Sequence, residues 1–152
     1  MGGPDFTYHL DDEKRNNAEA DGLISVGDIG YLDEDGFLYL CDRRNDMVIS
    51  GGVNIYPAEI EACLISHPAV ADCAVFGIPD DDFGESLCAC VQVESGKNIN
   101  EDEVRGHIRE FMAGYKVPKI VDIRKDLPRE DSGKIFKRKL REPYWQEHGR
   151  SI

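Results

Sequence analysis

Two apolar runs constrain this chain most: VADCAVFGI from Val70 to Ile78 and LCACVQV from Leu87 to Val93, joined by the acidic, glycine-containing loop PDDDFGES. Both read as strands. A helix is expected from Pro57 to Ser66, because Pro57 suits a first helical turn and Ile60, Leu64 and Ile65 share one face. Asn100 followed by Glu103 has the form of a capping box, so a second helix should run to about Met112 with Val104, Ile108 and Phe111 facing inward. Ile120–Ile123 reads as a further strand and Lys139–Trp145 as a short closing helix. Strands interleaved with helices in this way give an α+β domain, a small sheet flanked by helices.

Upstream, Gly27–Leu32 and Phe37–Cys41 flank the tetrad DEDG, which predicts a β-hairpin turning at Gly36. Asp42–Asp46 is a charged break, Met47–Ile49 a short strand, and Met1–Ala20 a polar stretch that reads as a surface connection. The expected division is residues 1–44, a hairpin belonging to a larger body, and residues 45–152, the α+β domain. At 152 residues and 41% hydrophobic content, the chain can bury one modest core plus an appendage. No apolar run approaches the ~20 residues needed to span a bilayer, and the first residues lack the order of a secretory signal, so a cytoplasmic protein is expected.

The five cysteines, Cys41, Cys63, Cys73, Cys88 and Cys90, contain no CxxC pair, and their odd number argues against a complete disulfide framework. Cys88 and Cys90 would share one face of a strand as small apolar side chains. The four histidines are scattered, and no zinc site assembles by spacing. Charge is more informative. The net charge is −12, yet Tyr115–Arg141 holds ten bases against four acids. An overall negative field disfavours nucleic acid, whereas a local basic surface suits a compact polyanion.

Within that basic stretch, PREDSGKIFKRKLR from Pro128 to Arg141 places Lys134 beside Gly133 on a turn, where a lysine is presented to an anion by a loop able to move. It is not a P-loop. Pro128 stands where the first glycine of that cradle would be, and Ile135 replaces the Ser or Thr that would hold magnesium. On composition alone, Lys134 also fits a solvated basic face.

Three ordered segments resemble the C-terminal end of the adenylate-forming enzymes, the family of acyl-CoA synthetases, luciferases and peptide-synthetase adenylation domains. They are GDIGYLDEDGFLYLCDRRNDMVISGG (27–52), NIYPAEIEACLISHPAVADCAVFGIPD (54–80) and the lysine segment, with GYKVPK (114–119) between the last two. The resemblance implies chemistry in two half-reactions. A carboxylic acid attacks the α-phosphate of ATP to give an acyl-adenylate and pyrophosphate, then the thiol of CoA displaces AMP, and the C-terminal domain rotates between the steps. The segment MVISGGVNIYPAEIE is similar to acyl- and aryl-CoA ligases rather than peptide synthetases, which suggests fatty acid metabolism. It implies ATP, with Mg2+ in the parent enzyme, and CoA as co-substrate. No YTSGTTG-like phosphate loop occurs in the sequence, so the family's large N-terminal domain, with its acid pocket, is the expected partner and the isolated chain is expected to be inactive.

Residue by residue, the resemblance implies that Lys134 serves adenylation, its ammonium bridging the anionic nucleophile and the phosphate. Asp28 matches the ribose-binding carboxylate, although an Asp there also fits a plain turn. The family writes Thr before this Gly-Asp pair and Trp a few residues earlier; Val26 and Leu23 stand there, so contacts near the nucleotide should differ. Arg43 matches an arginine that reaches ribose or phosphate oxygens, with Arg44 a solvated neighbour. Asn45 falls at the hinge, where the family has Asp or Lys. Ser50, Gly51 and Gly52 would line the pantetheine tunnel. Tyr115 and Lys116 match contacts to the CoA nucleotide, or are ordinary surface residues. Glu59 and Glu61 are expected to be structural, one solvated and one capping neighbouring backbone. The alternative is a free-standing CoA- or nucleotide-binding or regulatory module without catalysis.

Overall fold

In a computed structural model, residues 27–149 are described in full, together with the backbone of Glu19–Ala20 (β1) and Leu23–Ile24 (β2). Most of the expected surface connection, Met1–Ala20, and the departures at Leu23 and Val26 lie outside the fully described residues. The chain divides into two compact units, Met1–Asn45 and Asp46–Ile152.

The first unit contains the hairpin of β3 (Asp28–Leu32) and β4 (Leu38–Arg43), paired antiparallel. Asp33 organises its turn, with Oδ1 accepting hydrogen bonds from the backbone N–H groups of Asp35 (3.1 Å) and Phe37 (2.9 Å), a side-chain substitute for a backbone turn bond. Tyr31 and Tyr39 stack across the ladder with ring centroids 5.1 Å apart. Leu32, Phe37, Leu38 and Leu40 are all exposed. A two-stranded ribbon has no second layer in which to bury them.

In the second unit, β5 (Val48–Ser50) and β6 (Val53–Ile55) form a tight hairpin. The sequence reading placed only the first of these strands. Helix α1 (Pro57–Ile65) is followed by the long antiparallel pair β7 (Val70–Asp80) and β8 (Gly84–Val93), then helix α2 (Glu101–Phe111), β9 (Ile120–Arg124) and helix α3 (Lys137–Glu147). The sheet runs in the order β6-β5-β8-β7, and β9 pairs parallel with β8. The strands β7 and β8 extend beyond the apolar runs that announced them, because Asp80 accepts backbone hydrogen bonds from Asp82 (3.1 Å) and Phe83 (3.2 Å) and closes the turn early. The expected loop shrinks to Asp81–Phe83.

Alternation along β7 and β8 sends side chains to two cores. Cys73, Val75, Leu87, Ala89 and Val91 pack with Ile60 and Leu64 of α1 and Val104 and Ile108 of α2. Ala74, Phe76, Cys88 and Cys90 face the other way, onto Leu127 and Leu140. The sheet is therefore buried on both faces, which is why its strands read as nearly continuous apolar runs. The α2 capping box is present in both directions, between Asn100 and Glu103. Two inward expectations fail: Ile65 is 48% and Phe111 63% exposed. Each is the last residue of its helix, and the Phe111 ring meets His107 edge-on, centroids 5.1 Å apart, instead of the core.

Candidate nucleotide and thiol sites

The residues predicted to act fall in three places. In the first unit, Asp28 and Arg43 are direct cross-strand partners, with the Arg43 Nε 3.7 Å from the Asp28 carboxylate. The pairing brings a hydrogen-bond acceptor and a planar donor side by side on one ribbon, as ribose and phosphate recognition needs. The Arg44 N–H bonds to Gly27 O at 2.7 Å, closing the ribbon just before Asn45, the last residue of the first unit.

The second place is a groove of about 380 Å3 lined by Ser50, Gly51, Val53, Phe83, Tyr115 and Lys119, among others. Gly51 (φ 56°) and Gly52 (φ 80°) are the two central residues of the β5–β6 turn, so positive φ at both, the type I′ requirement, explains the pair. Space matters at only one of them. A Cβ on Gly51 would stand 3.0 Å from Phe83 Cδ1, whereas one on Gly52 meets nothing within 4 Å. The Gly51 N–H donates to Phe83 O at 2.9 Å, tying this turn to the β7–β8 turn. Phe83 (58% exposed) and Tyr115 (56%) leave two aromatic rings open to the groove, suited to stacking on a flat heterocycle.

Lys116 is not among the groove residues. It pairs with Glu59 on α1, its side chain only 20% exposed. Lys119 lines the groove instead, its amine 2.8 Å from the Asp80 carboxylate. That hydrogen bond from Lys119, with the two backbone donors, lowers the Asp80 pKa to about 2, and the carboxylate raises that of Lys119. Both stay charged across the physiological range. Sequence reasoning missed Lys119 and Phe83. The signal for Lys119 was its place in the GYKVPK segment, three residues past the short 3-10 turn Gly114–Lys116; Phe83 gave none, because a loop phenylalanine reveals neither its exposure nor its neighbour Gly51.

The third place is the Lys134 turn. An isolated bridge pairs Arg129 with Ile135, Glu130 N–H bonds to Lys134 O at 2.8 Å, and Gly133 N–H to Glu130 O at 2.8 Å. Gly133 has φ 85°, as this tight reversal demands. Instead of an open loop, Lys134 rides on a hairpin tip whose base is set by Leu127 and Ile135 in the second core. Its side chain is exposed and makes no ion pair among the described residues. The Lys134 hairpin thus packs on one face of the sheet. The groove lies at the other end of β7, around the β7–β8 turn, and draws its lining from both faces, Leu87 and Val117 from the first core and Asp80 and Ser86 from the side of the second.

The two glutamates expected to be structural do differ in role. Glu61 accepts from the Val75 N–H at 2.7 Å and pairs with Lys137 at 2.8 Å, covering the free edge of β7. Glu59 is held by Lys116 rather than merely solvated.

A family model described as the AMP-binding enzyme C-terminal domain matches residues 59–134. The chain belongs to this family. It is 46% identical over 143 residues to a 2-succinylbenzoate–CoA ligase of Bacillus cereus, covering 92% of this chain and 29% of that protein; the same enzyme of Bacillus mycoides is 45% identical over 141 residues. Among solved structures, the o-succinylbenzoate CoA synthetase MenE of Bacillus subtilis, in complex with the acyl-adenylate OSB-AMP, aligns at TM-score 0.76 and 41% identity, over 82% of this chain and 25% of that one. ATP-bound MatB of Rhodopseudomonas palustris aligns at TM-score 0.79 and 40% identity, over 87% and 26%. The α+β fold expected from the sequence is that of these C-terminal domains. The chain spans 29% of the length of the curated relatives. Their name specifies an aryl acid, so they give no support to fatty acid metabolism. No helix among the described residues is long and apolar enough to cross a membrane.

Proposed function

We propose that this chain is the mobile C-terminal domain of an AMP-forming acid–CoA ligase, presenting two faces in turn to an active site on a larger N-terminal domain. The observation that carries this reading is the placement of the Lys134 hairpin and the aromatic groove at opposite ends of one strand: the hairpin is tied to Asp72 at the start of β7, and the groove opens at Asp80 and the turn that follows, about 25 Å along the strand. One rigid body cannot bring two surfaces so far apart to one site at once. Rotation about Asn45, at the junction of the two units, would exchange them.

In the adenylation orientation, Lys134 places its ammonium between the substrate carboxylate and the α-phosphate of ATP. It offsets their repulsion by about 4 kcal/mol per close contact at an effective dielectric near 20. Mg2+ would accompany the ATP in the parent enzyme. Asp28 and Arg43 hold the ribose and phosphate side of the nucleotide. In the thiol orientation, Ser50 and Gly51 border the path of the pantetheine arm, with Gly52, outside the groove lining, completing their turn, while Phe83 and Tyr115 stack on the adenine of CoA and Lys119 meets its phosphates. Lys116 contributes by holding the 3-10 turn to α1 through Glu59 rather than by touching CoA. The exposed apolar hairpin of the first unit supports the presence of a larger body for it to pack on. By itself the chain then completes no reaction.

The test is a pair of half-reactions in the full-length parent, with ATP, CoA and a panel containing 2-succinylbenzoate, other aryl acids and fatty acids. Lys134→Ala should lower acid-dependent ATP–pyrophosphate exchange by about 10²- to 10³-fold, as the loss of roughly 3–4 kcal/mol implies. Thioester formation from supplied acyl-adenylate should be unchanged. Equal loss in both half-reactions would sink the two-face reading. A native product no longer than this chain that binds CoA without catalysis would favour the regulatory module.

A further inference from the structure

Lys134 stands at the tip of a hairpin, and the position of the tip depends on what holds it. Leu127 and Ile135 fix the base of the hairpin in the second core, but the tip projects past it and is exposed from Arg129 to Lys134. One side chain reaches across it. Arg129 Nη1 donates to Gly133 O at 3.0 Å, the carbonyl immediately before Lys134, and Nη2 donates to Asp72 Oδ2 on β7 at 2.6 Å. The guanidinium therefore bridges the tip to the start of a core strand in one rigid plane. On the other side of Lys134, Lys137 is tied to Glu61 at 2.8 Å, and Glu61 in turn to the Val75 amide of the same strand. Asp72 and Glu61 thus anchor to β7 the chain on both sides of the lysine.

We propose that Arg129, held by Asp72, is a positioning residue for Lys134 in the adenylation step. The proposal rests on the reading of Lys134 given above. Both partners are partly open to solvent, 41% and 29% exposed, so the pair adds little to folding. What it supplies is geometry. Five rigid donors allow arginine to satisfy the carbonyl and the carboxylate together, whereas lysine, a point charge, cannot hold both in a fixed plane. Displacing a catalytic group by about 1 Å costs on the order of 10²-fold in rate.

The experiment uses the full-length parent and its preferred acid. Arg129→Ala and Asp72→Ala should each lower kcat for ATP–pyrophosphate exchange about 10- to 100-fold, with KM for ATP and the melting temperature nearly unchanged and with thioester formation from supplied acyl-adenylate intact. Arg129→Lys should recover only a small part, and the double variant should be no worse than the worse single, as for two groups acting as one unit. Wild-type exchange in both single variants would overturn the proposal. So would a raised KM for ATP with kcat intact, which would make Arg129 a direct substrate contact. If the wild-type parent forms no acyl-adenylate at all, it is the ligase reading that fails. A wild-type enzyme that exchanges, but loses nothing on Arg129 or Asp72 substitution, fails this proposal alone.

Discussion

Replacing Gly77 by alanine tests how the groove hairpin is held to the sheet. Glu85 of β8 turns its carboxylate across the sheet so that Oε2 accepts the Ile49 N–H of β5 at 2.8 Å. The space it crosses exists because Gly77 has no side chain: a Cβ there would stand 2.8 Å from Glu85 Oε1 and 3.1 Å from Val48 Cγ2. The carboxylate has to leave. A hydrogen bond to a charged group contributes about 1.5–3 kcal/mol, toward the lower end here because Ile49 is 48% exposed and water replaces part of it. Gly→Ala returns about 0.5 kcal/mol by restricting the unfolded chain. The net cost is about 1–1.5 kcal/mol, a fall of several degrees in Tm for a domain this small. Thermal and urea melts of Gly77→Ala, Glu85→Ala and the double variant form a cycle. With the carboxylate gone, Gly77→Ala should be nearly neutral, leaving only the Val48 contact. An equal cost in both backgrounds would refute the argument, because the collision with Glu85 would then not be its source.

Acid should act through Asp80. Its folded pKa, about 2, lies below the ordinary carboxylate value near 3.9, so its stabilisation is fully present above pH 4 and is lost as pH falls toward 2. Asp80→Asn should flatten that part of the stability–pH curve in urea melts, and an unchanged slope would show the Lys119 pair to be inert. The thiols should separate by burial. Cys88 and Cys90 have no exposed surface, and burial pushes the Cys73 pKa up to about 12, so in a thiol titration of the native chain Cys41 should react first, Cys63 more slowly, and the other three only after unfolding. Early labelling of Cys88 or Cys90, read by mass spectrometry, would contradict the two-sided burial of β8.

Elements written in local chemistry were legible in the sequence. The Asn100 and Glu103 side chains start α2 through their own neighbours, Pro57 starts α1, and the runs Val70–Ile78 and Leu87–Val93 are strands because both faces of each must be dry. Family motifs named Asp28, Arg43, Ser50–Gly52 and Lys134 as candidates by residue type and order along the chain, and their roles rest on the experiments above. What the chain cannot state locally is which long side chain reaches which distant partner. Lys116 and Lys119 lie three residues apart and look equivalent, yet Glu59, 57 residues away in sequence, takes one, while Asp80, 39 away, holds the other in the groove. Phe83 became a groove residue because a β7–β8 turn met a β5–β6 turn, and Arg129 became a brace because β7 brought Asp72 beneath it. Those pairings are decided by the order of strands in the sheet. That order is set by burial summed over the whole domain rather than by any one segment, and it left Lys134 near the start of β7 and the groove at its far end.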